Sequence, residues 1–272
     1  MLAIKNNLMS VNAARHLGNS YDALSKSVER LASGLRINSA KDDAAGLAVR
    51  ELMRADIAVV QQGARNAQDG ISMLQTMEGA LATIDDMLVR MQALAEQAAT
   101  GSYSSAQRTI MHNEFDELRQ EIDRIATSTK FNGISMLDDT STYSIHFGEL
   151  TSDKIDITGS IMTSAATGLA LTGLAIDGTS CAKTALTTLD AAIGTKDTAR
   201  AKFGYKMNRL EGTVNVLNIQ AENLLTAESR VSDVDVATEM AKMTRNQVLA
   251  QAGISMLAQA NSMPQMALSL LR

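Results

Sequence analysis

The stretch that decides the fold is Leu81-Ala-Thr-Ile-Asp-Asp-Met-Leu-Val-Arg-Met-Gln-Ala-Leu-Ala95. Its apolar residues recur at alternating intervals of three and four, at Leu81, Ile84, Leu88, Met91 and Ala95. That spacing places them on one seam of a helix, as in coiled coils and helical bundles. The seam continues in both directions and predicts a helix that begins near Ala40 and is broken at Gly101-Ser102. A helix of about 57 residues would be roughly 85 Å long.

Similar seams predict three further helical regions on either side of the long one. The first contains Tyr21 and Leu31 and ends at Gly34, the next ends near Ser128, and a later one extends from about Leu186 to Leu224. A last helix fills the C-terminal region.

Two breaks in this pattern carry the same helix-start signal. Ser39 with Asp42 and Ser232 with Asp235 have capping-box spacing, with Asp in place of the usual Glu. They predict helix starts near Ala40 and near Asp233.

The middle of the chain has a different character. Asn132-Gly133 is a turn signal, and Tyr143, Ile145 and Phe147 alternate with the two-residue period of a strand, as do Ile155 and Ile157. These residues predict a β-hairpin. The stretch from Gly159 to Ser180 is rich in Gly, Ser, Thr and Ala and predicts an exposed, irregular or weakly β segment.

The composition agrees with a mainly α-helical fold. The 272 residues include no Trp, one Pro and 3 % aromatics, whereas Ala, Leu and Met are abundant. A net charge of -5, without a basic stripe, argues against a nucleic-acid partner. The single Cys181 excludes an internal disulfide. The N-terminus lacks the pattern of a cleaved secretory signal.

The elements are nearly symmetric about the middle of the chain, so the chain is expected to go out and return as a long antiparallel bundle with a small β-hairpin region. We expect terminal coiled-coil helices in residues 1–39 and 230–272 and a helical bundle domain in residues 40–130 and 181–229. Residues 131–180 are expected to form a short β-hairpin and variable surface segment.

The C-terminal region raises the question of what covers it. From Asn246 to Leu271, 26 consecutive residues carry no ionisable side chain. A membrane span is disfavoured because six Asn and Gln side chains would lose their hydrogen-bonded water.

A helix that is apolar over most of its circumference is enclosed by protein, and two terminal helices cannot enclose each other. Contacts that use different faces on successive molecules do not close, so the sequence predicts a helical polymer. The predicted polymerisation interface consists of Leu8, Val11, Leu24, Leu31, Leu249, Ile254, Leu257, Leu268 and Leu271.

No pattern of catalytic, cofactor-binding or metal-binding residues stands out. His16, His112 and His146 are far apart in sequence, and none lies in the H-E-x-x-H arrangement of zinc peptidases. Asp42-Asp43 is better explained by helix capping than by acid–base catalysis. We therefore expect no enzyme activity and no cofactor.

Several separate blocks resemble bacterial flagellin. They are Glu29-Arg-Leu-Ala-Ser-Gly-Leu-Arg-Ile-Asn-Ser-Ala-Lys-Asp-Asp-Ala-Ala-Gly46, Arg65-Asn-Ala-Gln-Asp-Gly-Ile-Ser72, Met77-Glu-Gly-Ala80, Phe131-Asn-Gly133, Gln251-Ala-Gly, Leu257-Ala-Gln-Ala-Asn261 and Leu268-Ser-Leu-Leu-Arg272. The resemblance covers about residues 1–140 and 184–272, and only about 50 residues replace the large outer domains of longer flagellins.

The resemblance implies a secreted, extracellular subunit of the flagellar filament that forms a homopolymer for swimming. It also implies partners: the flagellar type III export machinery, an export chaperone, and the hook-associated and cap proteins. Many flagellins are sensed by Toll-like receptor 5, and the matching positions here are Arg90, Leu94 and Glu114. The alternatives for these residues are bundle packing for Leu94 and a solvated face or a filament contact for the other two.

Two other functions remain open at this point. A hook–filament junction protein would share related termini with flagellin. An intracellular helical signalling scaffold would share the helices without being exported.

Overall fold

The structure is a computed structural model that describes residues 6–269, with the side chains of residues 6–263. It contains five α-helices and two small antiparallel hairpins in the described residues. In chain order these are α1 Leu8–Ser33, α2 Ala44–Ala99, α3 Ser105–Ser128, β1 Lys130–Phe131, β2 Ile134–Ser135, β3 Thr142–His146, β4 Lys154–Thr158, α4 Thr179–Ser232 and α5 Val236–Ser269. The mainly α fold class is confirmed.

The two predicted helix starts are wrong by a few residues. Helix α2 begins at Ala44 because the Asp43 carboxylate accepts from the Gly46 amide at 2.9 Å, whereas Asp42 accepts from the amide and hydroxyl of Ser39. Helix α5 likewise begins at Val236, where Asp235 accepts from the amide of Ala237 at 3.0 Å. One aspartate caps each helix alone, so the expected Ser-to-Asp boxes do not form.

Several boundaries agree with the sequence. Gly34 ends α1 with φ of 74°, a left-handed conformation that favours glycine, and its N–H donates to the Arg30 carbonyl. Helix α3 ends at Ser128, and the predicted hairpin is present, with Tyr143 opposite Ile157 and Ile145 opposite Ile155.

The chain divides into two compact units, residues 1–57 with 222–272 and residues 58–221. These divisions fall inside α2 and α4, which continue without a break from one unit to the other. The predicted domain boundaries at residues 39/40 and 229/230 therefore stay a prediction.

The unit of residues 58–221 is an antiparallel bundle of α2, α3 and α4. Ion pairs join Asp85 to Lys196 at 2.5 Å and Glu78 to Arg200 at 3.3 Å, so α2 and α4 run in opposite directions. Leu81, Ile84, Leu88 and Met91 are fully buried, as the seam requires.

The segment after β4 is irregular as predicted, but it is only partly exposed. Leu171 and Ile176 are fully buried in the bundle core. The Asp123 carboxylate of α3 accepts from the amide and hydroxyl of Ser164, at 2.6 and 2.7 Å. These contacts hold the segment against the bundle, and sequence alone did not indicate them.

Candidate assembly surfaces

Helices α1 and α5 pair in an antiparallel arrangement. The Asn7 side-chain amide donates to the Ala260 carbonyl at 2.7 Å, and the Ser10 hydroxyl lies 2.7 Å from the Asn261 side chain. A side chain at Gly253 would meet Leu17 at 3.1 Å, so a small residue here allows close approach. The two helices thus share one register along their length.

A buried carboxylate fixes this register near the other end of the pair. Glu239 is 4 % exposed and accepts from the Ser27 hydroxyl at 2.7 Å. Lys242 lies 3.1 Å and Arg30 3.9 Å from the same carboxylate. The Ser27 hydrogen bond, together with the positive charges of Lys242 and Arg30, lowers the pKa of Glu239.

Large apolar side chains remain exposed on both helices of the pair. Leu8 is 70 %, Val11 66 %, Val248 59 % and Met256 64 % exposed. A shallow groove lies between the helices, lined by His16, Leu17, Asn19, Ser20, Ala23, Asn246, Leu249 and Gly253. An apolar surface of this extent is typical of a protein–protein contact.

The residues predicted for polymerisation fall into three groups. Leu8, Val11, Leu249 and Ile254 are exposed. The half-buried residues are Leu24, Leu31 and Leu257. Leu271 lies outside the described residues, and for Leu268 the structure describes only the backbone.

The connectors next to this helix pair are joined to each other. The Arg36 amide donates to the Ser232 carbonyl at 2.7 Å, and the Val234 amide donates to the Gly34 carbonyl at 3.0 Å. Arg50, which is 8 % exposed, donates from Nη1 to the Ile37 carbonyl at 2.8 Å. The first two bonds pair the backbone that leaves α1 with the backbone that enters α5, and the Arg50 bond ties Ile37 to α2.

The residues predicted to contact a receptor lie on α2 and α3. Arg90 donates from Nε and Nη2 to Glu114 at 2.8 and 2.7 Å, and both side chains are about half exposed. Leu94 is only 2 % exposed and packs in the bundle core. Two of the three residues therefore form one surface pair, and the third lies beneath the surface.

Sequence reasoning missed several polar residues of these surfaces. No local pattern indicated that Glu239, Ser27 and Arg50 are buried and paired, because their partners are distant in sequence. Lys196 of α4 is a further buried charge, 2 % exposed. Burial alone would lower the pKa of Lys196, but hydrogen bonds to Asp197 and Asp85 outweigh burial and raise that pKa.

Within residues 6–269 we find no group of three His, Cys, Asp or Glu side chains suited to a metal ion. In the same part of the chain no helix is long and apolar enough to cross a membrane.

Comparison with known families gives a direct result. The bacterial flagellin N-terminal helical region matches residues 4–142, and the C-terminal helical region of the same family matches residues 186–271. The chain belongs to the bacterial flagellin family. The resemblance predicted from its sequence blocks is therefore confirmed.

This flagellin has relatives of nearly its own length. It is 43 % identical over 286 residues to the flagellar filament 33 kDa core protein of Treponema phagedenis, with both chains fully covered. It is 41 % identical over 272 residues to a flagellin of Halalkalibacterium halodurans and 38 % identical over 304 residues to the flagellin of Bacillus subtilis, again with full coverage of both chains.

Solved structures agree with the flagellin fold. The crystal structure of Bacillus cereus flagellin matches with a TM-score of 0.52 and 34 % identity, over 60 % of this chain and 94 % of that one. A putative flagellar hook-associated protein from Vibrio parahaemolyticus matches with a TM-score of 0.61 and 12 % identity, over 71 % of this chain and all of that one, which shows a common fold alone. This flagellin is a structural subunit of the flagellar filament.

Proposed function

We propose that the chain polymerises through α1 and α5 and that the polymer serves swimming motility. The observation that carries this proposal is the exposed apolar surface of both helices, from Leu8 and Val11 on α1 to Leu249 and Ile254 on α5. Burial of such side chains contributes about 25 cal/mol per Å² of apolar area removed from water. Neighbouring copies supply that cover, in agreement with the filament role of the family.

The expected partners follow from the same role. The subunit is exported through the flagellar type III machinery with an export chaperone and joins the filament outside the cell between hook-associated and cap proteins. Its work is mechanical, and we propose no catalytic activity and no cofactor.

A charge introduced into the apolar surface tests this proposal. Leu257→Asp, or Leu268→Asp, is expected to stop polymerisation by burying an unpaired carboxylate between copies. Leu249→Asp isolates the effect, because its exposed side chain keeps the new charge hydrated in the single chain. Sedimentation and negative-stain electron microscopy measure polymer, and circular dichroism measures folding.

Thr76→Asp, on the exposed side of α2, is the matched control and should leave polymer yield unchanged. Wild-type polymer yield from the Leu249 and Leu257 variants would refute the role of α5.

Toll-like receptor 5 recognition is a second proposal, carried by the exposed Arg90–Glu114 pair. Exchanging the two residues, Arg90→Glu with Glu114→Arg, retains an ion pair across α2 and α3 but reverses the charge that a receptor meets. Monomer of this variant should activate receptor reporter cells on the order of ten-fold less than wild type, since each 1.4 kcal/mol of lost binding is tenfold.

Thermal unfolding checks that the exchanged chain is folded. Full activation by a folded exchanged chain would contradict direct contact at these positions. Because Leu94 is buried, we propose that it packs beneath the Arg90–Glu114 pair and sets the distance between α2 and α3 there.

A further inference from the structure

A line of positive charge follows one side of α4. Lys202, Lys206 and Arg209 are spaced by four and then three residues, which places them on one side of the helix. Within the described part of the chain, none of the three lies within 4.0 Å of a carboxylate. Lys206 is half-buried and its charge acts on Asp156 of β4, whose pKa is lowered by hydrogen bonds from Ser144 and Lys154 and by the charges of Lys154 and Lys206. Lys202 and Arg209 are therefore the exposed cations that the line presents.

Exposed apolar side chains flank this line. Tyr205, Val216 and Ile219 are 56 %, 63 % and 60 % exposed, although the opposite side of α4 fills the bundle core with Phe203 and Leu210. A helix that is apolar on both sides needs cover on the second side as well. This outer α4 face consists of Lys202, Tyr205, Lys206, Arg209, Val216 and Ile219.

A complementary face lies on α3. Glu114, Glu117 and Glu121 are spaced by three and then four residues, and Ile110, one turn earlier, is 70 % exposed. Glu114 is paired with Arg90 and Glu121 with Arg124, whereas Glu117 makes no ion pair among the residues that the structure describes. The outer α3 face, these four residues, is acidic with an apolar end.

The bundle sets the direction in which these faces could meet. Helix α3 is antiparallel to α2, because Arg90 contacts Glu114 while Arg108 donates to the Ala98 carbonyl at 3.0 Å. Helix α4 is also antiparallel to α2, so α3 and α4 run the same way. In a filament whose subunits lie along its axis, α3 of one copy remains parallel to α4 of the next.

The spacing of the charges matches in this parallel arrangement. The acidic residues lie at relative positions 0, 3 and 7, and the basic residues at 0, 4 and 7. Each acid therefore meets a base within one residue, a rise of about 1.5 Å. In that register Arg124 lies opposite Gly212, which offers no side chain to clash with it.

We propose that the outer α4 face of one copy binds the outer α3 face of a neighbouring copy in the filament. The contact uses two different faces, so it propagates without closing. Opposite charges select the partner face, and Tyr205, opposite Glu117 in this register, loses water on contact. This inference rests on the polymerisation proposed above and adds a second, separate interface to it.

Charge reversal tests the contact in the full chain. One variant carries Lys202→Glu with Arg209→Glu, another carries Glu117→Lys with Glu121→Lys, and a third combines all four changes. Each two-residue variant should raise the critical concentration for seeded filament growth on the order of ten-fold or more, because like charges then face each other. The combined variant, with the wild-type net charge, should return toward the wild-type value.

The control for net charge is Arg65→Glu with Lys183→Glu, two exposed sites on α2 and at the start of α4. Circular dichroism and thermal unfolding show whether each variant is folded. If the Lys202→Glu, Arg209→Glu variant does not fold, Lys202→Gln with Arg209→Gln removes the two charges without reversing them.

Wild-type growth of both reversed variants would overturn the contact, and so would a combined variant no better than the worse of the two. The proposal that α1 and α5 polymerise is tested separately, by Leu249→Asp, in which α3 and α4 are unchanged.

Discussion

At the scale of single residues, Glu239 is a buried charge between α1 and α5. It is removed from water and compensated by Ser27, Lys242 and Arg30. A buried carboxylate without these partners would be strongly unfavourable, so the three must lie opposite it. That requirement admits one register of α1 against α5.

Replacing Glu239 by Gln keeps an acceptor for Ser27 but removes the charge that Lys242 and Arg30 face. We expect the α1–α5 pair to lose about 1–3 kcal/mol at pH 7. Hydrogen exchange of the α1 and α5 amides measures the loss, with the exposed Glu222→Gln as control.

The same variant predicts a pH dependence. Because the pKa of Glu239 in the folded chain lies below its ordinary value of 4.5, its stabilisation is present above pH 4.5 and is lost as the pH falls through the lowered pKa. Wild type and Glu239→Gln should therefore converge in strong acid. A difference in hydrogen-exchange protection between wild type and Glu239→Gln that stays constant from pH 7 into strong acid would contradict a lowered pKa of Glu239.

At the scale of elements, the long α2 helix both forms the bundle and supports the β3–β4 hairpin. Gly63 lies against the loop after β3, where an added Cβ would come 2.2 Å from the Phe147 carbonyl oxygen. The Asn66 side chain on the next turn donates to the His146 carbonyl at 2.9 Å. Backbone of the loop therefore lies directly on the helix surface.

Gly63→Ala should displace the hairpin from α2 and destabilise the bundle, because backbone cannot give way as a flexible side chain can. Gly79 provides the matched control, since nothing lies within 4 Å of its added Cβ. Gly79→Ala should stabilise the bundle by about 0.5–1 kcal/mol through helix propensity. Thermal unfolding compares the two, and equal melting temperatures would disprove the close approach.

At the scale of the whole molecule, the two compact units differ in how they bury apolar surface. The unit of residues 58–221 has a continuous core from Ala67 to Leu210. In the described residues of the other unit, many large apolar side chains remain exposed. The first unit is expected to be stable alone, and the second gains its cover from other copies.

A chain trimmed to residues 40–230 should therefore fold and stay monomeric, whereas the full chain forms filaments when a salting-out agent is added. Sedimentation and negative-stain electron microscopy separate the two outcomes. Filaments from the trimmed chain would place the polymerising surface in the bundle instead. Soluble monomer from both chains would mean that the terminal helices are covered within their own chain.

The sequence by itself determined the helices, their order and the seam that α2 buries from Leu81 to Ala95. The spacing of the apolar residues from Leu81 to Ala95 is a local property of the sequence. Helix formation alone places these residues on one side of α2, without contacts from distant residues. Gly34 ended α1 for a similarly local reason. The exposed apolar residues of α1 and α5 were also predictable, because a helix apolar on most sides has more surface than one partner covers.

The tertiary structure alone decided which polar groups meet. Ser27 and Glu239 are 212 residues apart, so no local pattern could pair them. Leu94 likewise is buried by packing in the bundle core. Contacts between distant segments depend on how the helices pack against one another, and the spacing of apolar residues within one helix does not specify that packing.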